Sequence, residues 1–299
     1  MNFNLRLLGW LPLIKRQTAG LRNLKPIMTL RNFIEMQYDG TLMSTEDFLA
    51  KSDPEQELHF FTFKWGDKYG SEYVNRLYGS LLRHCTVPFS FSCITDDNRG
   101  IKKEIQTIDY NTFGPEGWRN YPQDKIFTRE KLCVMALDLP GVKAWIDLDV
   151  LIHNDITELV SRPLEKPTFI FNHWNSQKEQ AYRWFGKGSD CHINSSFVAW
   201  RDAKWLYDYT DKNKTKLFWT YKSLDKYLYY QHWRTGRLDY WEEGLVDNYN
   251  FSDPPFLERD TKITLFNTSH IKANNLDIQA YELHETEGQW PMDYWRDYD

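Results

Sequence analysis

Cysteine is scarce in this 299-residue chain, with four residues at Cys85, Cys93, Cys133 and Cys191 and no Cys-x-x-Cys pair. Scattered cysteines argue against a disulfide framework and for reduced thiols in a cytosolic compartment. Long apolar runs are missing as well. The most apolar piece near the start, LRLLGWLPLI, is too short to span a bilayer and is broken by Gly9 and Pro12. It does not read as a secretory signal, because the positive charge follows the apolar run and no small-residue cleavage site comes after it. Whole-chain basic character is absent too: the formal net charge is −5, which argues against nucleic acid as a partner. Internal repeats and low-complexity tracts are not found.

The first 34 residues lack acids altogether, while holding Arg6, Lys15, Arg16, Arg22, Lys25 and Arg31, so the remainder carries 31 bases against 42 acids. Residues 1–45 are therefore set apart as a basic extension or leader, with a true start at Met28 as one version of it. A basic, Trp-containing segment of this kind also suits a transit peptide or peripheral contact with anionic lipid. Residues 46–275 form the expected main domain, and 276–299 a C-terminal tail.

What the chain has in quantity is aromatic residues: 13 Trp, 18 Tyr and 18 Phe. Many must be core, but flat amphipathic rings also suit sugars, whose C–H faces stack on them. The elements alternate. LHFFTFKW (58–65), FSFSCITDD (89–97), PTFIFNH (167–173), HINSSFVAW (192–200) and KITLFNTSHI (262–271) read as strands. SEYVNRLYGSLLRH (71–84) reads as a helix with Tyr73, Val74, Leu77, Leu81 and Leu82 on one side. DKIFTREKLCVMALDL (124–139) and SLDKYLYYQHW (223–233) read as further helices. Alternation of this kind predicts an α/β sandwich on a mainly parallel sheet.

The segment KAWIDLDVLI (143–152) sets Asp147 and Asp149 inside an apolar run. Two unpaired carboxylates there are costly unless a cation sits between them. On an extended strand, side chains at i and i+2 share a side, so both acids would converge while Leu148 anchors the other face. Oxygen sites of this type suit Mg²⁺ or Mn²⁺, with a substrate phosphate completing the shell. Two solvated acids at a strand end are the plainer alternative. Ligands of such sheets bind beyond the C-terminal strand ends, where WIDLD stops.

The order of these pieces resembles the GT-A glycosyltransferases, and among them family 8, the glycogenin and bacterial galactosyltransferase type. The resemblance runs over residues 58–272. FFTFKWGDKY followed by YGSLLRH matches the family's first strand and helix, and TREKL precedes the metal strand WIDLDVLI. HINSSFVAW stands for its Asn-Ser-Gly strand, SLDKY for its acidic helix start, and FNTSHIKAN for its late His/Lys segment. Departures are Ser196 for Gly, Lys226 for Gln, and an ending reduced to His270 and Lys272, which leaves a divergent neighbour of family 8 open.

The resemblance implies a GT-A, Rossmann-like single-domain sandwich, with 58–160 as the nucleotide-binding half and 161–275 as the acceptor half. It implies a metal-dependent, retaining transfer from a nucleotide sugar, with a UDP-sugar as donor and a glycan, lipid or protein as acceptor. Asp147, Asp149 and His270 would hold Mn²⁺ or Mg²⁺. Thr62, Lys64, Tyr69, Asp96, Lys131, Asp147 and Lys272 would meet the nucleotide, and Asn194 and Asp225 the transferred sugar. Residues 173–188, with His173, Trp174 and Trp184, suit an acceptor-side loop. WEEGLVDNYNF (241–251) suits a second rim, with Glu242 and Asp247 left unassigned. The plainer roles are a backbone-bonded loop histidine for His270, surface lysines for Lys131 and Lys272, a solvated turn for Asp96, and helix N-cap support for Asp225. Two rival functions stand beside this one. A phosphatase of the haloacid-dehalogenase type also uses Asp-x-Asp after an apolar strand, but there the motif opens the domain. A sugar-binding protein on the same scaffold would lack turnover.

Overall fold

The structure is a computed structural model that describes residues 41–119, 121, 128–173, 191–221, 223–249, 260–266, 271–273, 276–278, 283, 286 and 290–299. Strand β1 (Leu58–Lys64) is buried along its whole length, as an apolar run without alternation requires when both faces are covered. It lies parallel to β2 (Ser90–Thr95) on one side and to β4 (Val142–Ile146) on the other. Beyond β2 comes β3 (Gln106–Asp109), also parallel. On the other flank β7 (Ile193–Trp200) runs antiparallel to β4, then β6 (Thr168–Phe171) antiparallel to β7, and the two-residue β8 (Asp239–Tyr240) closes the edge. The seven-stranded order is β3-β2-β1-β4-β7-β6-β8. The chain leaves β1 toward β2 and β3 and returns to β4 on the far side, so the β1/β4 boundary is the sheet's topological switch point.

Alternate residues of the central strands feed two cores. Phe60, Ala144 and Ile146 belong to one, with α2 (Ser71–His84) and α4 (Thr157–Ser161); Phe61, Phe63 and Trp145 belong to the other. The second core is covered by a 3-10 helix (Arg129–Ala136), α5 (Lys204–Thr220) and α6 (Leu224–Thr235), with the short α1 (Thr45–Lys51) and α3 (Glu116–Arg119) nearby in sequence to its edge strands. The expected helix over 124–139 is thus a 3-10 turn over its described part. Its residues Arg129 to Met135 are all buried, so no polar face marks a regular helix. On α2, Tyr73, Val74, Leu77 and Leu81 are buried as expected, but Leu82 is 58% exposed. It lies about 100° round the helix from Leu81, outside the stripe.

A small second sheet, β5 (Val150–Ile152), β10 (Ile263–Leu265) and β9 (Val246–Asn248), in the order β5-β10-β9, sits against the first core, and β11 (Ile271–Ala273) pairs with β12 (Leu276–Ile278). The C-terminal end is not a tail where it is described. Trp295 and Tyr298 are core residues of the segment that includes α7 (Trp290–Arg296). The Tyr298 hydroxyl donates to the Ile152 carbonyl at 2.8 Å, and Arg76 pairs with Asp299 at 2.7 Å while lying 4.0 Å over the Trp295 ring. Gly79 permits this approach, since a Cβ there would collide with the Tyr298 carbonyl oxygen. All four cysteines are free, buried thiols, and burial pushes Cys93 up to about 12.

Candidate functional site

A cleft of about 360 Å³ opens beyond the C-terminal ends of β1 and β4, at the switch point. Lys64, Trp65, Lys68 and Tyr69 line it from the β1 side, Asp147 and Asp149 from the β4 side. Thr128 and Lys131, Ser195 and Ser196, and Ser223 to Asp225 close the remaining walls.

The two aspartates do not converge by strand alternation. β4 ends at Ile146 and β5 begins at Val150, so Asp147–Asp149 is the bend between two sheets. The bend is pinned from both sides: the Asp147 N–H donates to Ser196 O at 2.8 Å, and the Phe266 N–H donates to Asp149 O at 3.0 Å. Leu148 is buried beneath it. Trp145 fixes the strand below, with a fully buried indole whose N–H donates to Ser195 O at 2.6 Å. Removing such a ring costs about 3–5 kcal/mol.

Charge at the bend is only partly compensated. Lys131 Nζ is ion-paired with Asp147 Oδ1, and both side chains are largely shielded. Asp149 accepts a longer hydrogen bond, 3.3 Å, from the Tyr69 hydroxyl, which itself accepts from Lys68 Nζ at 2.7 Å. Desolvation, then the neighbouring Asp147 charge, holds the Asp149 carboxyl well above the ordinary carboxylate range. Asp225 is likewise pushed up by desolvation, against the Ser195 hydrogen bonds and the Lys131 charge. Its Oδ1 accepts from Ser195 Oγ at 2.6 Å and from the Ser195 N–H at 3.1 Å. Three carboxylates thus crowd a cleft in which Lys131 alone forms an ion pair with one of them among the described residues. With Lys64 and Lys68 in the walls the cleft's lysines match its aspartates in number, but Asp149 has no ion-pair partner among the described residues, and an acid so placed beside Asp147 fits a hard divalent cation. No group of three or more His, Cys, Asp or Glu side chains is arranged to hold a metal among the described residues, so Asp147 and Asp149 would leave coordination positions for substrate oxygens or a further ligand.

Lys64, Tyr69, Lys131, Asp147, Asp149 and Asp225 line this one cleft. Thr62, Asp96 and Asn194 do not. The Thr62 hydroxyl is fully buried and donates to Ile146 O at 2.8 Å, tying β1 to β4. Asp96 accepts from the Gly66 N–H at 2.9 Å and shapes the loop after β1. Asn194 Oδ1 accepts from the Ser196 N–H at 2.9 Å, an interaction within its own strand. His270 lies outside the described residues, as do 174–190 of the expected acceptor loop and the side chain of Lys272. Tyr73 packs between Tyr69 and Trp295, with ring centroids 4.8 Å from each. Glu242 pairs with Arg162 at 2.7 Å, and the buried Asp247 with His173 at 3.3 Å, which raises the His173 pKa. Sequence reasoning missed Trp65, Lys68 and Ser195. Trp65 and Lys68 follow β1 directly, which was signal enough to find them; nothing in the sequence ties Ser195 to Asp225.

No protein-family model matches the chain, and no curated protein matches it. Solved structures do. The galactosyltransferase LgtC, in complex with donor and acceptor sugar analogs, superimposes with a TM-score of 0.51 at 13% identity, covering 80% of this chain and 94% of that one. An active-site mutant of LgtC gives 0.53 at 11% identity over the same shares, 80% and 94%. At such identity the likeness speaks for architecture alone, and the architecture agrees with the switch-point cleft and the mainly parallel sheet: the chain has a GT-A-like fold.

Proposed function

We propose that the protein is a glycosyltransferase, moving a sugar from a nucleotide-sugar donor, a UDP-sugar in the first instance, to a glycan, lipid or protein acceptor. The observation that carries this reading is the pair Asp147 and Asp149 at the switch-point cleft, of which Asp149 has no ion-pair partner among the described residues. Such a site suits a nucleoside diphosphate presented together with a divalent cation, and the fold is one on which an LgtC structure carries donor and acceptor sugar analogs.

Breaking the bond between the anomeric carbon and the diphosphate builds negative charge on the leaving group. Mn²⁺ or Mg²⁺ held by Asp147 and Asp149 would supply Lewis-acid stabilisation of that charge. Lys64 and Lys68 line the β1 wall and favour the same anionic group as point charges. Lys131 holds Asp147 in place. Trp65, stacked on Tyr110 at 5.1 Å between ring centroids, gives the β1 loop a rigid aromatic wall for base and ribose. Asp225, with Oδ1 committed to Ser195, keeps Oδ2 for a sugar hydroxyl.

The test is release of UDP from a panel of UDP-sugars with Mn²⁺, measured on the full chain and on Asp149→Asn. UDP release from one sugar, lost in the variant and in EDTA, is expected. Tight nucleotide-sugar binding with no release from any member of the panel would replace this reading by the non-catalytic one.

A further inference from the structure

Side-chain contacts join α5 to α6 and to Arg237 just beyond its end. The Arg237 guanidinium lies 4.1 Å over the Trp205 ring and Arg234 3.9 Å over Tyr209, while at the other end Tyr221 is 5.5 Å from Tyr230. Leu206, Thr210, Leu217 and Phe218 of α5 and Leu224, Tyr227, Leu228 and Gln231 of α6 face the core.

The opposite face has its own pattern. On α5, Lys212, Lys216 and Trp219 recur at helical spacing, and on α6 so do Lys226, Tyr230 and Trp233, all of them exposed. Trp219 is 66% exposed and Trp233 74%. Asp208, four residues before Lys212, is the one acid on this side of α5, and it pairs with Lys204. Residues 204–237 hold eight bases and three acids in a chain whose net charge is −5. Of those acids, Asp225 is in the cleft, and Asp208 and Asp211 are paired with Lys204 and Lys214. Lys212, Lys216 and Lys226 take part in no ion pair among the described residues.

Exposed indoles interleaved with unpaired lysines suit one surroundings best. At the surface of an anionic bilayer, tryptophan and tyrosine rings sit at headgroup level and each nearby lysine is drawn to lipid phosphate. The cores of protein interfaces are depleted of lysine, and these lysines sit between the rings. We propose that the α5–α6 face docks the protein on an anionic membrane surface. Because α6 begins with Leu224 and Asp225 in the cleft wall, docking sets the cleft beside the lipid surface. The docking stands on charge and exposure alone and does not depend on the transfer reaction.

The basic segment before residue 35 would add any affinity of its own to parent and variants alike, so the decisive quantity is the difference between them. Two variants are made in the full chain: Trp219→Gln with Trp233→Gln, and Lys212→Gln with Lys216→Gln and Lys226→Gln. Co-sedimentation is measured with vesicles of phosphatidylcholine alone or with about 30 mol % phosphatidylglycerol. The parent is expected to bind the anionic vesicles and to release in high salt, with the tryptophan variant binding roughly tenfold and the triple-lysine variant about 10²-fold more weakly, at an unchanged melting temperature. Three results would overturn the proposal. They are a parent that ignores anionic vesicles, variants that sediment like the parent, and variants that change only the oligomeric state in light scattering, which would make the face a protein interface.

Discussion

β2 and β4 are neighbours of β1 that both run out into a pair of acids, yet the two pairs have opposite fates. After β2, Asp96 accepts from the Gly66 N–H, and Asp97 accepts from the Arg99 backbone and guanidinium at 2.7–3.0 Å. Those Arg99 bonds draw the Asp97 carboxyl down to about 2. After β4, Asp147 has one lysine and Asp149 one long tyrosine bond, and the Asp149 carboxyl is driven upward. In the first pair Asp97 has its charge absorbed by Arg99 of its own turn, and Asp96 is taken up by the loop after β1. The second is held by backbone bonds from β7 and β10 that fix the chain without neutralising the side chains. A site capable of binding is recognised by that unfinished electrostatics, since both pairs look alike in sequence.

Exchanging charge for a neutral amide breaks the comparison most sharply. Asp149→Asn is expected to lower transfer by at least about 10³-fold, roughly 4 kcal/mol. Its melting temperature should hold or rise, because a carboxylate whose folded pKa is raised is a charge the fold disfavours at neutral pH. The pH dependence of stability then separates cleft from scaffold. His153 is buried, bonds Thr264 at 2.9 Å, and desolvation draws it down to about 4. Between pH 6.5 and about 4 the unfolded chain takes up the proton that folded His153 refuses. About 3 kcal/mol of stability should therefore disappear as pH falls through that window. Denaturant titrations of the parent and His153→Gln should show the loss in the parent and a smaller one in the variant. Asp149 acts with the opposite sign, since its raised pKa favours the fold as pH falls.

Lys131→Met leaves Asp147 without its cation, and kcat/KM should drop by about 10²-fold, near 2.7 kcal/mol. Asp97→Ala is the smallest change. An exposed pair contributes little, so turnover should stay within about threefold and the melting temperature within about 2 °C.

Much of the scaffold is legible because pattern and burial agree. LHFFTFK and VKAWI are strands buried on both faces, and SEYVNRLYGSLLRH carries its core stripe. α5 is harder to read, since only Leu206, Thr210, Leu217 and Phe218 mark its inner face while Trp and Tyr also point outward. The two acids of WIDLD stand out as a charge in the wrong place, although a bend, not a pleat, brings them together. Thr62 and Asn194 show the limit. Whether a hydroxyl or amide serves a ligand depends on whether the fold has already spent it, and the Thr62 partner, Ile146, is 84 residues away.

The direct test of the account is thermal unfolding of the full chain with UDP alone, Mn²⁺ alone and both together. With each ligand near 100 times its dissociation constant, UDP and Mn²⁺ together should raise the melting temperature by about 5 °C, more than the separate effects combined, and Asp149→Asn should abolish that excess. An equal shift in EDTA, or an undiminished excess in the variant, would contradict a cation shared by this bend and a diphosphate.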